Sequence, residues 1–390
     1  MSLDAWRKTL DSLRQDGLLR SLKTITGAQQ DHVSLDGMEV LLLCSNNYLG
    51  LADHPHLIEA QCRAAREYGT GSGASRLVSG SMGPHSELEN RLAQFKGTES
   101  ALLFNAGYAA NTGILQGLMG PDDIIFSDSL NHASIIDGCR LSRAKTLVYP
   151  HGDLDALESM MVREAPHRRG QWVIVTDGVF SMDGDLAPLP GLVTLKQRYD
   201  ALLMVDDAHG TGVLGENGKG TAEFLGCLAD VDLHMGTLGK ALGGFGAFVA
   251  GPEILMQYLI NRARSFVFST SLPPGVVAAG TAALDIVESE EGRRRRQRLL
   301  ALRKQFVENL ANTCSVDVHG VTPIIPIITE KPEVTMDASA WLQTQGVFVQ
   351  GIRPPTVPEG RCRLRVTLMA THQTDHLLRA ADLIREVLNL

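Results

Sequence analysis

Short, uninterrupted apolar runs alternate with longer amphipathic stretches through the middle of the chain. The runs ALLF (101–104), DIIF (123–126), TLVY (146–149), WVIVTD (172–177), ALLMVDD (201–207) and GAFVAG (246–251) have strand length and show no polar face. Strands apolar on both sides belong inside a parallel sheet covered by helices. Between them, stretches such as SIIDGCRLSRA and LPGLVTLKQRYDA place apolar residues at helical spacing, and the βαβα order predicts an α/β domain.

The two ends read differently. The first fifty residues predict a helix and a hairpin-like stretch, HVSLDGMEVLLL. After FSTSLPP (268–274) a long helical pattern runs to about residue 312, then come strand-like PIIPII (323–328), VFVQGI (347–352) and RLRVTL (363–368), and a closing helix from about Thr374. The expected organisation is an N-terminal helix and hairpin (1–50), a large α/β domain (51–280) and an α+β C-terminal domain (281–390), without repeats or low-complexity linkers.

Composition narrows the classes. The formal net charge of −8 argues against nucleic acid, and the basic run Arg293 to Arg296 with Arg298, following ESEEG, reads as a solvated helix face. The N-terminus lacks the apolar core of a signal peptide, and no apolar run approaches the roughly 18 residues of a membrane span. Cys44, Cys62, Cys139, Cys227, Cys314 and Cys362 form no C-x-x-C pair, so neither a metal site nor a disulfide framework is expected, and the expected setting is the reducing cytoplasm. Glycine is the one unusual count: 39 in 390 residues, against an average of about 7%.

Five of those glycines lie in HMGTLGKALGGFG (234–246), around one lysine and no other charge. A lysine in an apolar turn loses hydration, which lowers its pKa and frees an amine for Schiff-base chemistry. Lys240 is therefore a candidate nucleophile, the alternative being a surface lysine in a flexible turn. Upstream, the buried-strand pattern ALLMVDDAHGTG (201–212) ends in Asp206, Asp207 and His209. An acid at a strand's carboxyl end can hold a cofactor's ring nitrogen protonated; the same residues also suit a metal site or a helix cap. The spacing of 34 residues from Asp206 to a glycine-flanked lysine favours a pyridoxal phosphate enzyme.

Other segments supply matching parts. FNAGYAANTGIL (104–115) reads as a strand end, then Gly107 and Tyr108 at a helix start, which suits a phosphate. Thr237 and Thr270 offer hydroxyls for a phosphate or for capping. His132 in SDSLNHASIIDG could stack on a ring, move a proton or simply neighbour a helix cap. Ser181, in the turn of TDGVFSMDGD, could bond a phenolic oxygen.

Taken in order, GTGSGASRLVSG, FNAGYAAN, LNHAS, TDGVFSMDGD, VDDAHGTGVLG, GTLGKALGGFG, FSTSLPP and RLRVTLMATH resemble the α-oxoamine synthases among fold-type I pyridoxal phosphate enzymes, from about Asn46 onward. The resemblance implies an aspartate aminotransferase-like α/β fold with a mostly parallel central sheet and a smaller α+β C-terminal domain. It implies pyridoxal 5′-phosphate tied to Lys240, which is also the base for the α-proton. Asp206 would pair with the pyridine nitrogen, His209 and Ser181 would bond the phenolic oxygen, and His132 would stack on the ring and assist the chemistry. Gly107, Tyr108, Thr237 and, from a second copy, Thr270 would bind phosphate, making a homodimer with shared sites.

For substrates, the resemblance assigns Arg365 to the amino acid carboxylate, Asn47 to the site lining, and Arg20 to the distal carboxylate of the acyl chain, where a solvent-facing helix arginine is the other reading. The segment IRPPTVPEGRCRLR (352–365) is similar to the branch that condenses L-alanine with a pimeloyl thioester. The resemblance also offers a use for the glycines: thinning the backbone around one cofactor at Gly69, Gly71, Gly73, Gly107, Gly178, Gly210, Gly212 and Gly236 to Gly246.

Overall fold

A computed structural model describes residues 3–15, 17–311 and 320–388. Cys314 and the end of the helical pattern predicted to about residue 312 lie outside the described residues. The chain divides into two units, one of Met1–Ser45, Leu302–His319 and Ile324–Leu390, the other of Asn46–Ala301 and Gly320–Pro323. The divisions fall near residues 45 and 301, where the sequence pattern suggested 50 and 280. The reason for the later boundary is the helix Pro274–Val287, whose apolar face packs on the helices Pro55–Tyr68 and Gly83–Lys96 of the larger unit.

In the smaller unit, the helix Asp4–Gln15 is followed by strands β1 (Ile25–Thr26), β2 (His32–Leu35) and β3 (Met38–Leu42). The hairpin between β2 and β3 turns on Asp36 and Gly37, both at positive φ (50° and 86°), the conformation that an Asp-Gly pair tolerates in a two-residue hairpin loop.

The larger unit holds β4 (Ser100–Phe104), β5 (Ile124–Asp128), β6 (Lys145–Tyr149), β7 (Trp172–Asp177), β8 (Leu202–Asp206), β9 (Leu233–Thr237) and β10 (Ala247–Gly251). They form one sheet in the order β4-β10-β9-β8-β7-β5-β6. All run the same way except β10, which is antiparallel to both neighbours, so the GAFVAG run is not the parallel strand its apolar pattern suggested. β9 was hidden in the sequence because its residues, LHMGT, open the glycine-rich lysine segment.

Successive side chains of a strand point to opposite faces, and here each face meets its own core. Ile125, Val173, Val175 and Met204 pack with Ile114, Leu115 and Leu259 on one side. Phe126, Ile174, Leu203 and Val205 pack with Leu157, Leu189 and Leu192 on the other. Both layers are helical, which explains why the strands carry no polar face.

The C-terminal helical pattern is two helices, Pro274–Val287 and Glu290–Ala311. The basic run on the second is only partly solvated, a correction to the sequence reading: Arg296 is buried, donating to the carbonyls of Val287 and Glu216, and Arg295 reaches Glu291 and the carbonyl of Leu49. Returning to the smaller unit, β11 (Ile324–Glu330), β13 (Gln350–Ile352) and β14 (Cys362–Thr367) make an antiparallel sheet in the order β11-β14-β13, while β12 (Val347–Phe348) extends β3 in parallel. VFVQGI is thus shared between two sheets.

Candidate active site

Five parallel strands of the larger unit deliver the candidate residues from their carboxyl ends, where open α/β sheets collect ligands. β4 leads to Gly107 and Tyr108, β5 to His132, β7 to Ser181, β8 to Asp206 and His209, and β9 to Thr237 and Lys240. All eight line one cavity of about 200 Å³, together with Asn111, Ser134, Asp177, Ala208 and Met235.

Asp206 is buried; its Oδ1 accepts from the amide of Ala208 (3.0 Å) and its Oδ2 from Nδ2 of Asn111 (2.6 Å). Asn111 also donates to Ser134 Oγ at 2.8 Å, while its own Oδ1 is buried without a partner. In register with Asp206 on the neighbouring strand stands Asp177. Its burial, reinforced by the Asp206 charge, pushes the Asp177 carboxyl well above the usual carboxylate range. It accepts the backbone N–H of His132 at 2.9 Å.

His132 is both an N-cap and a cavity wall. Its Nδ1 accepts from the Ser134 amide at the start of the helix Ala133–Ser142, leaving the ring proton on Nε2. Burial lowers its pKa, and the Lys240 charge adds to this against Asp206, so the ring is neutral at pH 7. The Lys240 amine lies 2.8 Å from Nε2 of His209, whose Nδ1 is 2.7 Å from the Tyr48 hydroxyl.

At the other end of the cavity the helix Gly107–Leu118 begins with no side-chain cap, so its first-turn N–H groups are available to an anion. A Cβ on Gly107 would come within 3.1 Å of Met235 Cε. Tyr108 is half exposed, its hydroxyl bonded to Asp137. Thr237 donates to the carbonyl of Gly246 and receives the amide of Gly239.

Four candidates lie outside this cavity lining. Thr270 is exposed, with Asn105 Nδ2 on its carbonyl. Asn47 is buried in the same unit and accepts the amides of Leu51 and Ala52. Arg20 and Arg365 belong to the smaller unit. Arg365 is buried on β14. Arg20 is exposed but not helical; it donates to Thr356 Oγ1 (3.3 Å) beside a cavity of about 440 Å³ that Lys23 and Arg353 also line.

Asp207 points away from the site. Its carboxylate accepts from Thr221 and faces the wholly buried Lys96 at 3.5 Å. Gly178, Gly210 and Gly220 crowd this pair: a Cβ on Gly220 would lie 1.6 Å from Asp207 Oδ2, and one on Gly210 2.1 Å from Oδ1. The assignment of Gly178 and Gly210 to a cofactor is therefore corrected; they make room for a buried ion pair. Sequence reading also missed Asn111 and Asp177, which stand within quoted segments, and Tyr48, next to Asn47.

The aminotransferase class I and II family model matches residues 38–384. The chain belongs to that family. Among curated relatives of the chain, a Syntrophotalea carbinolica protein provisionally named 8-amino-7-oxononanoate synthase is 75% identical over 100% of both chains. The 8-amino-7-oxononanoate synthase of Geobacter sulfurreducens is 59% identical over 95% of this chain and 94% of its own. A serine palmitoyltransferase variant from S. paucimobilis, solved with a bound PLP–myriocin aldimine, superposes with a TM-score of 0.91 at 27% identity, covering 99% and 97% of the two chains. Within the aminotransferase class I and II family, this chain is an α-oxoamine synthase, a fold-type I acyltransferase that uses pyridoxal phosphate.

The cavity fits that cofactor by its own chemistry. An uncapped helix terminus suits the phosphate, a buried carboxylate suits a protonated ring nitrogen, and an amine beside an imidazole suits an aldehyde. Among the described residues, no helix is long and apolar enough to cross a membrane.

Proposed function

We infer that the chain catalyses the decarboxylative condensation of L-alanine with a pimeloyl thioester, on CoA or a carrier protein, giving 8-amino-7-oxononanoate for biotin synthesis. The observation that carries the chemistry is the Lys240 amine, 2.8 Å from His209 in the cavity that Asp206 lines. The substrate choice is supported by full-length identity to relatives bearing that name and by the bond from Arg20 to Thr356 of the IRPPTVP segment.

Bound there, pyridoxal phosphate supplies a protonated ring that accepts the electron pair released at the amino acid's α-carbon. Asp206, held by Asn111 and the Ala208 amide, would face the ring nitrogen. The first-turn amides of the Gly107 helix bind phosphate, with Thr237 beside them. Lys240 Nζ would hold the aldehyde carbon and then be placed to take the α-proton, which His209 Nε2 could relay, with the Tyr48 hydroxyl behind it. Ser181 would hold the phenolic oxygen, and neutral His132, with its proton on Nε2, would face the ring and offer a donor to the carbonyl oxygen that forms. Arg365 binds the α-carboxylate until it leaves as CO₂, Asn47 lines the substrate site, and Arg20 binds the distal carboxylate of the acyl chain.

A homodimer is part of this reading. Thr270 does not line its own chain's cavity, and Leu77, Val78, Phe245 and Phe268 are exposed apolar side chains near the candidate segments in sequence, which suits a second copy bringing its Thr270 to the phosphate. A cytoplasmic setting accords with the free cysteines among the described residues. The test is an assay pairing alanine, glycine and serine with pimeloyl, acetyl and palmitoyl thioesters. The highest kcat/KM is expected for alanine with the pimeloyl donor; faster turnover of glycine with acetyl-CoA would assign a sister reaction.

A further inference from the structure

His151 bridges two carboxylates outside the cavity. Its Nδ1 is 3.0 Å from Asp128 Oδ1 and its Nε2 2.7 Å from Asp185 Oδ2, with the ring edge-on to Phe180 at a centroid distance of 4.3 Å. A neutral imidazole has one N–H and could serve only one of these acceptors; both bonds form only when both nitrogens carry protons.

Each carboxylate is tied to a different active-site turn. Asp128 closes β5, accepts the amides of Leu130 and Gly152, and starts the turn 128–131 that delivers His132. Asp185 sits in the turn that carries Ser181, closed by the amide of Phe180 on the Asp185 carbonyl and of Gly184 on the Phe180 carbonyl. These two turns present Ser181 and His132 to one cavity.

We propose that His151, as an imidazolium held between Asp128 and Asp185, is a positioning residue that locks the Ser181 turn to the His132 turn and so sets both side chains against the cofactor. The charged groups facing its ring are these two carboxylates, and their hydrogen bonds raise its pKa to about 10, so the clamp is closed throughout the neutral range. The proposal rests on the reading of Ser181 and His132 as cofactor contacts; its first readout does not.

The test begins with ¹⁵N NMR of histidine-labelled holoenzyme, the His151 resonances being assigned by their loss in His151→Gln. Both ring nitrogens are expected to stay protonated from pH 6 to 9; loss of a proton below pH 8 overturns the clamp whatever the substrates prove to be. His151→Gln, which cannot donate on both sides, is then expected to shift the cofactor's absorption maximum and lower kcat about tenfold, with the amino acid KM within about twofold. Asp185→Asn should do the same more weakly, and it carries the test if His151→Gln does not fold. A lowered melting temperature with unchanged spectrum and kcat would make His151 a structural residue only and overturn the proposal.

Discussion

The amine of Lys240 and Nε2 of His209 lie 2.8 Å apart, and the far side of the same imidazole meets the hydroxyl of Tyr48. His209 is buried, so the bond to Tyr48 governs which ring nitrogen holds the proton and therefore whether His209 gives to or accepts from Lys240. Tyr48→Phe keeps the ring and deletes that control. We expect kcat to fall about tenfold, in line with loss of one buried hydrogen bond to a reacting group, with the pH–rate profile displaced; a profile and kcat like wild type would remove Tyr48 from the relay.

Asp206 and Asp207 are adjacent in sequence and face different partners, the Asn111 amide and the Lys96 amine. Asp206→Asn should leave the melting temperature within a few degrees and abolish most turnover. Asp207→Asn strips the buried Lys96 of its counter-charge, and breaking such a pair costs about 3–5 kcal/mol, so its first effect is a large fall in melting temperature. Asn111→Ala should weaken cofactor retention about tenfold by freeing Asp206 Oδ2. Calorimetry and absorbance titration separate these effects.

Acid sensitivity follows from histidines buried in the neutral form. Burial lowers His234 to about 3 and His372 to about 4. Between those values and the ordinary 6.5 the unfolded chain binds protons that the folded chain refuses at these two sites, so their destabilising effect is absent above about pH 6.5 and grows as pH drops toward 4. For His372 alone the loss approaches about 3 kcal/mol. Urea midpoints measured from pH 7.5 to 4.5 should decline, and His372→Gln should flatten the decline.

Arg20 provides a test of acyl specificity. Arg20→Ala is expected to raise KM for pimeloyl-CoA about tenfold, as loss of a charge-assisted contact does, while leaving KM for a monocarboxylic thioester of similar length unchanged. Equal effects on both donors would show that Arg20 does not read the distal carboxylate.

The main sheet was legible because its strands are apolar on both faces, and the eight cavity-lining candidates because each strand end is followed within a few residues by a chemically distinctive group. What the sequence concealed had physical reasons. β9 was masked by glycines, and β10 looks parallel because burial on both faces erases the alternation that marks direction. Asn111 lies on a helix one turn beyond Gly107, and its bond to Asp206 spans 95 residues of sequence. Asp207 resembles Asp206 in sequence until Lys96, 111 residues away, is seen against it. His151 gives no local signal, since its two acceptors lie 23 and 34 residues away.

The account turns on Lys240, and the most direct measurement is to load the protein with pyridoxal phosphate, reduce it with borohydride and map the peptides by mass spectrometry. One phosphopyridoxyl group per chain, on Lys240, is the expected result, with the Lys240→Ala protein unlabelled. Stable label on another lysine, or none on a protein that turns over substrate, would contradict it.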